Sequence, residues 1–328
     1  MRRMKSALVL AVLFGALLVN PLGTAGKGNY PNKAIDLIVA FSPGGATDIV
    51  ARALAPKLEK MWGVNINVIN KAGGSGTIGT MEVVGAKPDG YKMMINVTTT
   101  GSLNPAVDPT LPYKWNELTN VCRINVNPLV FIVKGDSKWN SLKDLVADLK
   151  AGARKYSYGT AGPGGPSTFA IAQLCQDAGI DPNNLIRVVL GGGATVITDV
   201  AGGHIDLAAQ NLSEVIAMTQ AGKIKALAVT TDHRSSSLPD VPTTKEAGFP
   251  SVKLVGYNSV SGPANLPDEV VKAWEDAVRE LCKNPEFQAA LESAGATSAF
   301  LGHEEFGKWL KDYYDEGVAI ALKVGLRK

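Results

Sequence analysis

The feature that most constrains this 328-residue chain is an alternation of apolar strands and amphipathic helices that starts twice. Ile35 to Phe41 (IDLIVAF) reads as a buried strand. A helix follows from about Ala46 to Met61, with Ile49, Val50, Ala53, Leu54 and Leu58 at helical spacing. Val64 to Ile69 is the next strand, about Ile78 to Ala86 the next helix, and Tyr91 to Val97 a third strand. The pattern restarts with the strand Leu129 to Val133 and a helix opened by Ser141, with Asp144 three residues on. A strand ending Tyr156 to Gly159, a helix near Thr168 to Ala178, Ile186 to Leu190, a helix from Thr195, and strands near Ile205 to Ala209 and Ala226 to Thr230 continue it. Pro267, Asp268 and Glu269 open another helix at favoured first-turn positions, and a last helix spans about Glu304 to Leu322. Such alternation predicts an α/β fold of two lobes, each a mixed, mostly parallel sheet flanked by helices. Asn127-Pro128 and Gly248 to Pro250 punctuate the crossings. They place lobe I at 26–127 and 256–328 and lobe II at 128–255, with the C-terminal helices packing on lobe I.

Glycine is over-used, 35 of 328 residues or about 11% against a usual ~7%, and its placement is informative. Three glycine-rich stretches join a strand to a helix: Ser42-Pro43-Gly44-Gly45-Ala46-Thr47-Asp48, Gly159 to Thr168, and Gly191-Gly192-Gly193-Ala194-Thr195. In open α/β sheets such loops lie at the carboxyl ends of strands, where ligands bind. Helix starts carry unpaired N–H groups and partial positive charge, and glycine brings those N–H groups close to an anion without a Cβ in the way. Ser42, Thr47, Thr160, Ser167 and Thr168 add hydroxyls. The alternative is that each loop is only a tight turn. Three of them shared between two lobes favour anion cradles, and Gly-Gly-Ala-Thr recurs at 44–47 and 192–195. Asp48 reads as structural, bonding back to the Gly45 N–H and pairing with Arg52 four residues on. Asp199 either caps its helix or faces the cleft.

Other chemistries find little support. Gly74-Ser75-Gly76-Thr77-Ile78-Gly79 matches the dinucleotide fingerprint, but it follows the second strand, and the next strand ends in Asn96, Val97 and Thr98 with no acid to hold a ribose. No G-x-S-x-G elbow is present, and no His or acid can be paired with Ser75 from sequence. His204, His233 and His303 are far apart, as are Cys122, Cys175 and Cys282, so neither a metal set nor a CxxC motif forms, and three buried free thiols are expected. No cofactor and no catalysis are expected.

The first residues read as an address. Arg2, Arg3 and Lys5 precede the apolar run Ser6 to Val19, then Asn20-Pro21 and the small residues Gly23, Thr24 and Ala25. This is a secretory signal peptide over 1–25, its apolar run short of the ~20 residues that span a membrane. The chain has 33 Lys and Arg against 30 Asp and Glu; without the three leading cations the count is even, at 30 each. A neutral body excludes a basic stripe for nucleic acid. The mature protein is expected to be periplasmic and monomeric.

Taken together, the motifs resemble the Bug-type extracytoplasmic solute receptors, the substrate-binding proteins of tripartite tricarboxylate transporters. The resemblance spans nearly the whole mature chain. Its markers include Tyr30-Pro31, Pro43-Gly44-Gly45 with Asp48 and Ala51-Arg52, Asn70 with Ala72-Gly73-Gly74 and Ile78-Gly79, and Pro88-Asp89-Gly90-Tyr91. Asn104-Pro105, Leu111-Pro112-Tyr113, Ser141 to Leu145, Tyr158-Gly159, Asp199, Gly202-Gly203, Ile205-Asp206 and Leu238 to Thr243 follow in order. The resemblance implies a two-lobed Venus-flytrap fold closing over a small organic acid, with integral-membrane transporter subunits as partners. It implies ligand contacts from Ser42, Pro43, Gly44, Gly45, Ala46 and Thr47; from Thr98 and Thr99; from Thr160, Ala161, Gly162, Gly164, Gly165, Ser167 and Thr168; and from Gly192, Gly193, Ala194 and Asp199.

The chain also departs from that pattern. Gly165 and Thr168 stand where members often have Ser and His, Leu190-Gly191 replaces a common Tyr-Lys, and Tyr257 replaces a frequent Trp. A cation and a larger polar group are lost, which points to a bulkier or less charged carboxylate than citrate or a standard dicarboxylate. A secreted hydrolase, or a sensor presenting the ligand to a signalling partner, would use the same cleft.

Overall fold

The computed structural model describes residues 30–162, 164–190 and 192–327; the signal-peptide reading of 1–25 lies outside the described residues. The elements are β1 (Ile35–Val39), α1 (Ala46–Trp62), β2 (Ile66–Asn70), α2 (Thr77–Val84), β3 (Lys92–Val97), α3 (Asn104–Val107), β4 (Leu118–Lys134), α4 (Leu142–Ala151), β5 (Ser157–Thr160) and α5 (Pro166–Ala178). They continue with β6 (Ile186–Val189), α6 (Gly193–Gly202), β7 (Leu207–Asn211), α7 (Leu212–Gln220), β8 (Ile224–Val229), β9 (Val255–Pro263), α8 (Asp268–Lys283), α9 (Pro285–Ser293), β10 (Thr297–Leu301) and α10 (His303–Lys323).

Two sheets share one long strand. In the first, β2, β1, β3, β9 and β4 lie side by side with β10 against β4; in the second, the order is β6, β5, β7, β4, β8. β4 pairs with β9 from Leu118 to Pro128, then with β7 and β8 from Leu129 onwards. Pro128 sits at the change of sheet, where a residue without an N–H is tolerated because the ladder is handing over partners. The parallel pairs expected from strand–helix alternation are β1–β2, β1–β3, β5–β6 and β5–β7. Every pair made by β4 or β9 is antiparallel.

Local chemistry accounts for the helices that frame these sheets. Ser141 and Asp144 form a reciprocal capping box at α4, the side-chain oxygen of each accepting a backbone N–H of the other. α8 buries Val270, Val271, Trp274, Ala277, Val278 and Leu281, one face of a 3.6-residue period, on the first sheet. α9 adds Phe287 and Leu291 to that core. α10 departs from the expectation that the C-terminal helices serve lobe I alone. Phe306, Leu310 and Tyr313 enter the core that also holds Phe169 and Leu174 of α5 in the second half. Gln173 of α5 donates to Glu316 of α10 at 2.7 Å. The last helix therefore ties the two halves together. Cys122, Cys175 and Cys282 are buried and unpaired, and no helix among the described residues is long and apolar enough to cross a membrane.

Candidate functional site

A cleft of 460 Å³, within the size range of small-molecule sites, opens between the two halves. From the first half it is lined by Ser42, Gly45, Ala46 and Thr47 at the start of α1, by Ala72, Gly73, Ser75 and Gly76 before α2, and by Thr98, Thr99 and Asn104 after β3. The second half supplies Ala161, Gly162, Gly164, Gly165, Pro166 and Ser167 before and within the start of α5, Gly192 and Gly193 at α6, and Gln210, Asn211 and Glu214 at α7. Asn127 of the shared strand β4 and Gly256, Tyr257 and Asn258 of β9 add a further wall. The halves approach closely at the rim, where a Cβ on Gly164 would lie 2.6 Å from the Asn104 amide oxygen.

The first loop is shaped by a buried carboxylate. Asp48 Oδ2 accepts the Gly44 N–H and the Arg52 Nε–H, each at 2.9 Å, and Oδ1 accepts Asn70 Nδ2–H at 3.0 Å. Asp48 is 3% exposed. Burial pushes its pKa up, but the bonds from Arg52, the Gly44 N–H and Asn70 outweigh this and hold it below the usual carboxylate range. The structural role expected for Asp48 is present, with the donor being Gly44 instead of Gly45. Gly44 adopts φ +83°, a left-handed conformation that favours glycine. Gly45 caps α1 in an extended conformation with no side-chain hydrogen bond, leaving the first N–H groups of a 17-residue helix at the cleft. The starts of α5 and α6 are likewise without side-chain caps, at Gly165 and Gly192.

The structure brings Ser42, Gly45, Ala46, Thr47, Thr98, Thr99, Ala161, Gly162, Gly164, Gly165, Ser167, Gly192 and Gly193 to the cleft and leaves out Pro43, Gly44, Thr160, Thr168, Ala194 and Asp199. The reasons are specific. A hydroxyl has one proton. Thr160 spends its proton on the Gly162 carbonyl at 3.1 Å and Ser167 on the Gly159 carbonyl at 2.7 Å, while Ser167 also accepts the Ala209 N–H. Thr168 is fully buried and its hydroxyl has no partner. Thr98 Oγ1 accepts the Tyr257 N–H at 2.7 Å, anchoring β9. Asp199 lies towards the C-terminal end of α6, where its backbone carbonyl accepts the N–H groups of His204 and Ile205, and its side chain is not in the cleft lining. The hydroxyls that remain in the cleft lining are those of Ser42, Thr47, Ser75 and Thr99.

Several lining residues were not expected. Gly74–Gly76 forms a 3₁₀ turn with Ser75 at φ 53°, and its carbonyl accepts Asn104 Nδ2–H at 3.0 Å. The glycine density that mimics a dinucleotide fingerprint was the available signal. Gly79, the last glycine of that motif, packs α2 on the first sheet: an added Cβ would lie 2.8 Å from Ala40 Cα and 2.9 Å from the Lys71 carbonyl. This is the close helix–strand approach for which such a glycine is used, here without a nucleotide. Asn258 and Glu214 carried no motif at all.

The electrostatics of the lining are simple. Among its described residues there is no Lys, Arg or His, and Glu214 is the one carboxyl. Glu214 is exposed at the cleft surface; crowding by the surrounding walls pushes its carboxyl above the ordinary carboxylate value, opposed by a hydrogen bond with Asn211. Burial also raises the Tyr257 pKa, opposed by the Ser102 hydroxyl. Positive potential for an anion therefore comes from helix starts.

Known proteins of similar sequence and shape share this arrangement of chain. A protein from the TAR-I ttuE-ttuC' intergenic region of Agrobacterium vitis, labelled UPF0065, is 31% identical over 280 residues, 84% of this chain and 79% of the relative. The periplasmic binding protein BugD superposes with a TM-score of 0.76 at 28% identity, over 91% of this chain and 100% of its own. R. palustris Rpa4515, solved with adipate, superposes with a TM-score of 0.79 at 26% identity, over 90% of this chain and 98% of its own. The family profile described as TctC, tripartite tricarboxylate transporter family receptor, matches residues 50–326. The chain belongs to the TctC family of tripartite tricarboxylate transporter receptors, as its Bug-type motifs implied.

Proposed function

We propose that this chain is a periplasmic, non-catalytic receptor that captures a small organic carboxylate between its lobes and delivers it to integral-membrane transporter subunits. The observation that carries this reading is the uncapped start of α1 at Gly45, facing the glycine loops of the other half across one cleft with no cation among its described lining residues. The ligand carboxylate sits at the α1 start, on the N–H groups of Gly45, Ala46 and Thr47, with Ser42 and Thr99 as hydroxyl donors. Ala161, Gly162, Gly192 and Gly193 meet the ligand from the other side. A ligand that touches both halves favours the closed form by contacts that the open form lacks. The lobes comprise 26–127 with 256–328, and 128–255, hinged where β4 passes from one sheet to the other and where the chain enters β9. The bound state is a monomer, processed after Ala25. The adipate held by Rpa4515 supports a carboxylate of similar size.

A thermal-shift screen of organic acids on the mature protein tests the reading. A ligand that binds only the native state raises Tm. A specific acid that shifts Tm by several degrees and is recovered unchanged supports the receptor. Conversion of that acid to product, or no shift across the screen, overturns it.

A further inference from the structure

Glu214 is the one charged side chain among the described residues of the cleft lining, and no cation there pairs with it. It stands in the first turn of α7, its carboxylate against the start of α6: a Cβ on Gly193 would lie 2.5 Å from Glu214 Oε2. It takes part in none of the ion pairs among the described residues. The third glycine loop thus already faces an anion belonging to the protein, so it does not serve as a second free cradle for a ligand carboxylate. A dicarboxylate anchored at α1 would bring its far end into a region that holds a carboxylate and no cation. Like charges brought together in one cleft repel.

Asn258 stands in the same cleft wall. Asn258 is 1% exposed. Its Nδ2–H is donated to Asn125 Oδ1 at 3.1 Å, and its Oδ1 has no donor. A buried acceptor left without a donor is costly, but this oxygen is closed off from the cleft and is not a ligand contact in this conformation, so the selection falls to Glu214. We infer that the ligand is an amino-substituted carboxylic acid, its carboxylate on the α1 start and its ammonium paired with Glu214, which makes Glu214 the residue that selects against diacids. This rests on the carboxylate-receptor reading and narrows it to a zwitterion.

Calorimetric titration with matched probes decides the matter. The series at each of four, five and six carbons is the diacid, the ω-amino acid and the ω-hydroxy acid: succinate, glutarate or adipate against 4-aminobutanoate, 5-aminopentanoate or 6-aminohexanoate and their hydroxy counterparts. At the best-fitting length the wild-type protein binds the amino acid at least tenfold more tightly than either partner. Glu214→Gln weakens the amino acid at least tenfold and improves the diacid. Equal or tighter binding of a diacid or hydroxy acid by wild type overturns the zwitterion and leaves the receptor standing. An amino preference that survives Glu214→Gln overturns the role of Glu214. Absence of binding to the whole series overturns the inference, while the wider acid screen separately decides the receptor. Should Glu214→Gln fail to fold, the wild-type comparison alone still decides the ligand class.

Discussion

Replacing Ser167 with alanine distinguishes a hydroxyl that builds the cleft from one that binds its contents. Ser167 is 2% exposed at the start of α5. Its Oγ donates to the Gly159 carbonyl of β5 at 2.7 Å and accepts the Ala209 N–H of β7 at 3.0 Å, joining a helix start to two parallel strands. Its one proton is spent, so it has none for a carboxylate. In Ser167→Ala both backbone groups lose a buried partner. Each unsatisfied group costs about 1–3 kcal/mol, so with partial relaxation the pair amounts to about 2–4 kcal/mol. Urea denaturation followed by circular dichroism measures the stability, and calorimetric titration at a temperature where the variant is folded measures ligand affinity. The expected result is a stability loss of that size with affinity changed less than twofold. A variant within about 0.5 kcal/mol of wild type, the usual range for a surface change, that loses affinity tenfold would refute the structural role and return Ser167 to the ligand.

Asp48→Ala removes an acceptor from the Gly44 N–H, Arg52 and Asn70 and is expected to cost about 2–3 kcal/mol at pH 7. Because the folded pKa of Asp48 is depressed, its contribution is complete above the unfolded value of about 4 and is lost as pH falls through the folded value. Urea curves at pH 7 and pH 3 should show the gap between wild type and variant narrowing in acid; a gap that widens contradicts this assignment. Gly79→Ala forces a methyl onto the backbone of Ala40 and Lys71 and should lower stability by about 1–3 kcal/mol, read as a Tm drop by calorimetry; an unchanged Tm rejects the close packing. A Cβ added at Gly45 meets only the Ser42 carbonyl, at 3.6 Å, and the φ of −76° suits any residue, so Gly45→Val places its methyls at the mouth of the cradle. It should therefore keep Tm within about 2 °C and lose ligand at least tenfold in the thermal-shift assay. Retained binding discards the cradle at α1.

The parts of the fold that were legible in the sequence are those whose burial is apolar. β1, α1, β3 and α8 announce themselves through Val, Ile, Leu and Met at strand or helix period. The part that joins the halves was not legible, because its interior is polar. β9 reads Val-Gly-Tyr-Asn-Ser-Val-Ser-Gly-Pro, a loop by composition, yet Asn258, Ser259 and Ser261 are buried. Their hydrogen bonds go to neighbours a sequence cannot place: Ser261 donates to Asn120, Asn258 to Asn125 and Ser259 to the Asn96 carbonyl, while Asn258 Oδ1 is left without a donor. The first half of β4 was lost for the same reason, its Asn120, Asn125 and Asn127 reading as turn residues. At the site the glycines were legible, since positions at a strand end before a helix have a distinct conformational use. The hydroxyls were not, because Ser or Thr in a glycine loop looks the same whether its proton points into the cleft or back to a carbonyl.

That contrast bears on how the cleft achieves selectivity. With no Lys, Arg or His in the lining, attraction to a carboxylate rests on a few helix-start N–H groups, each effective within about one turn. Such a site holds one carboxylate well and offers little to a second. The polar wall of β4 and β9 supplies amides instead of charge, and α7 contributes a carboxylate. A cleft composed in this way discriminates by the sign of the group at the ligand's far end. Charge reversal is therefore a stronger probe than changes of length. Glu214→Lys places a cation where the wild type has an anion, and it should convert a receptor for an amino-substituted acid into one that prefers the diacid of equal length by tenfold or more, as read by calorimetric titration of adipate against 6-aminohexanoate. A variant that folds with the native circular dichroism and keeps the wild-type order of affinities would show that Glu214 lies outside the ligand's reach.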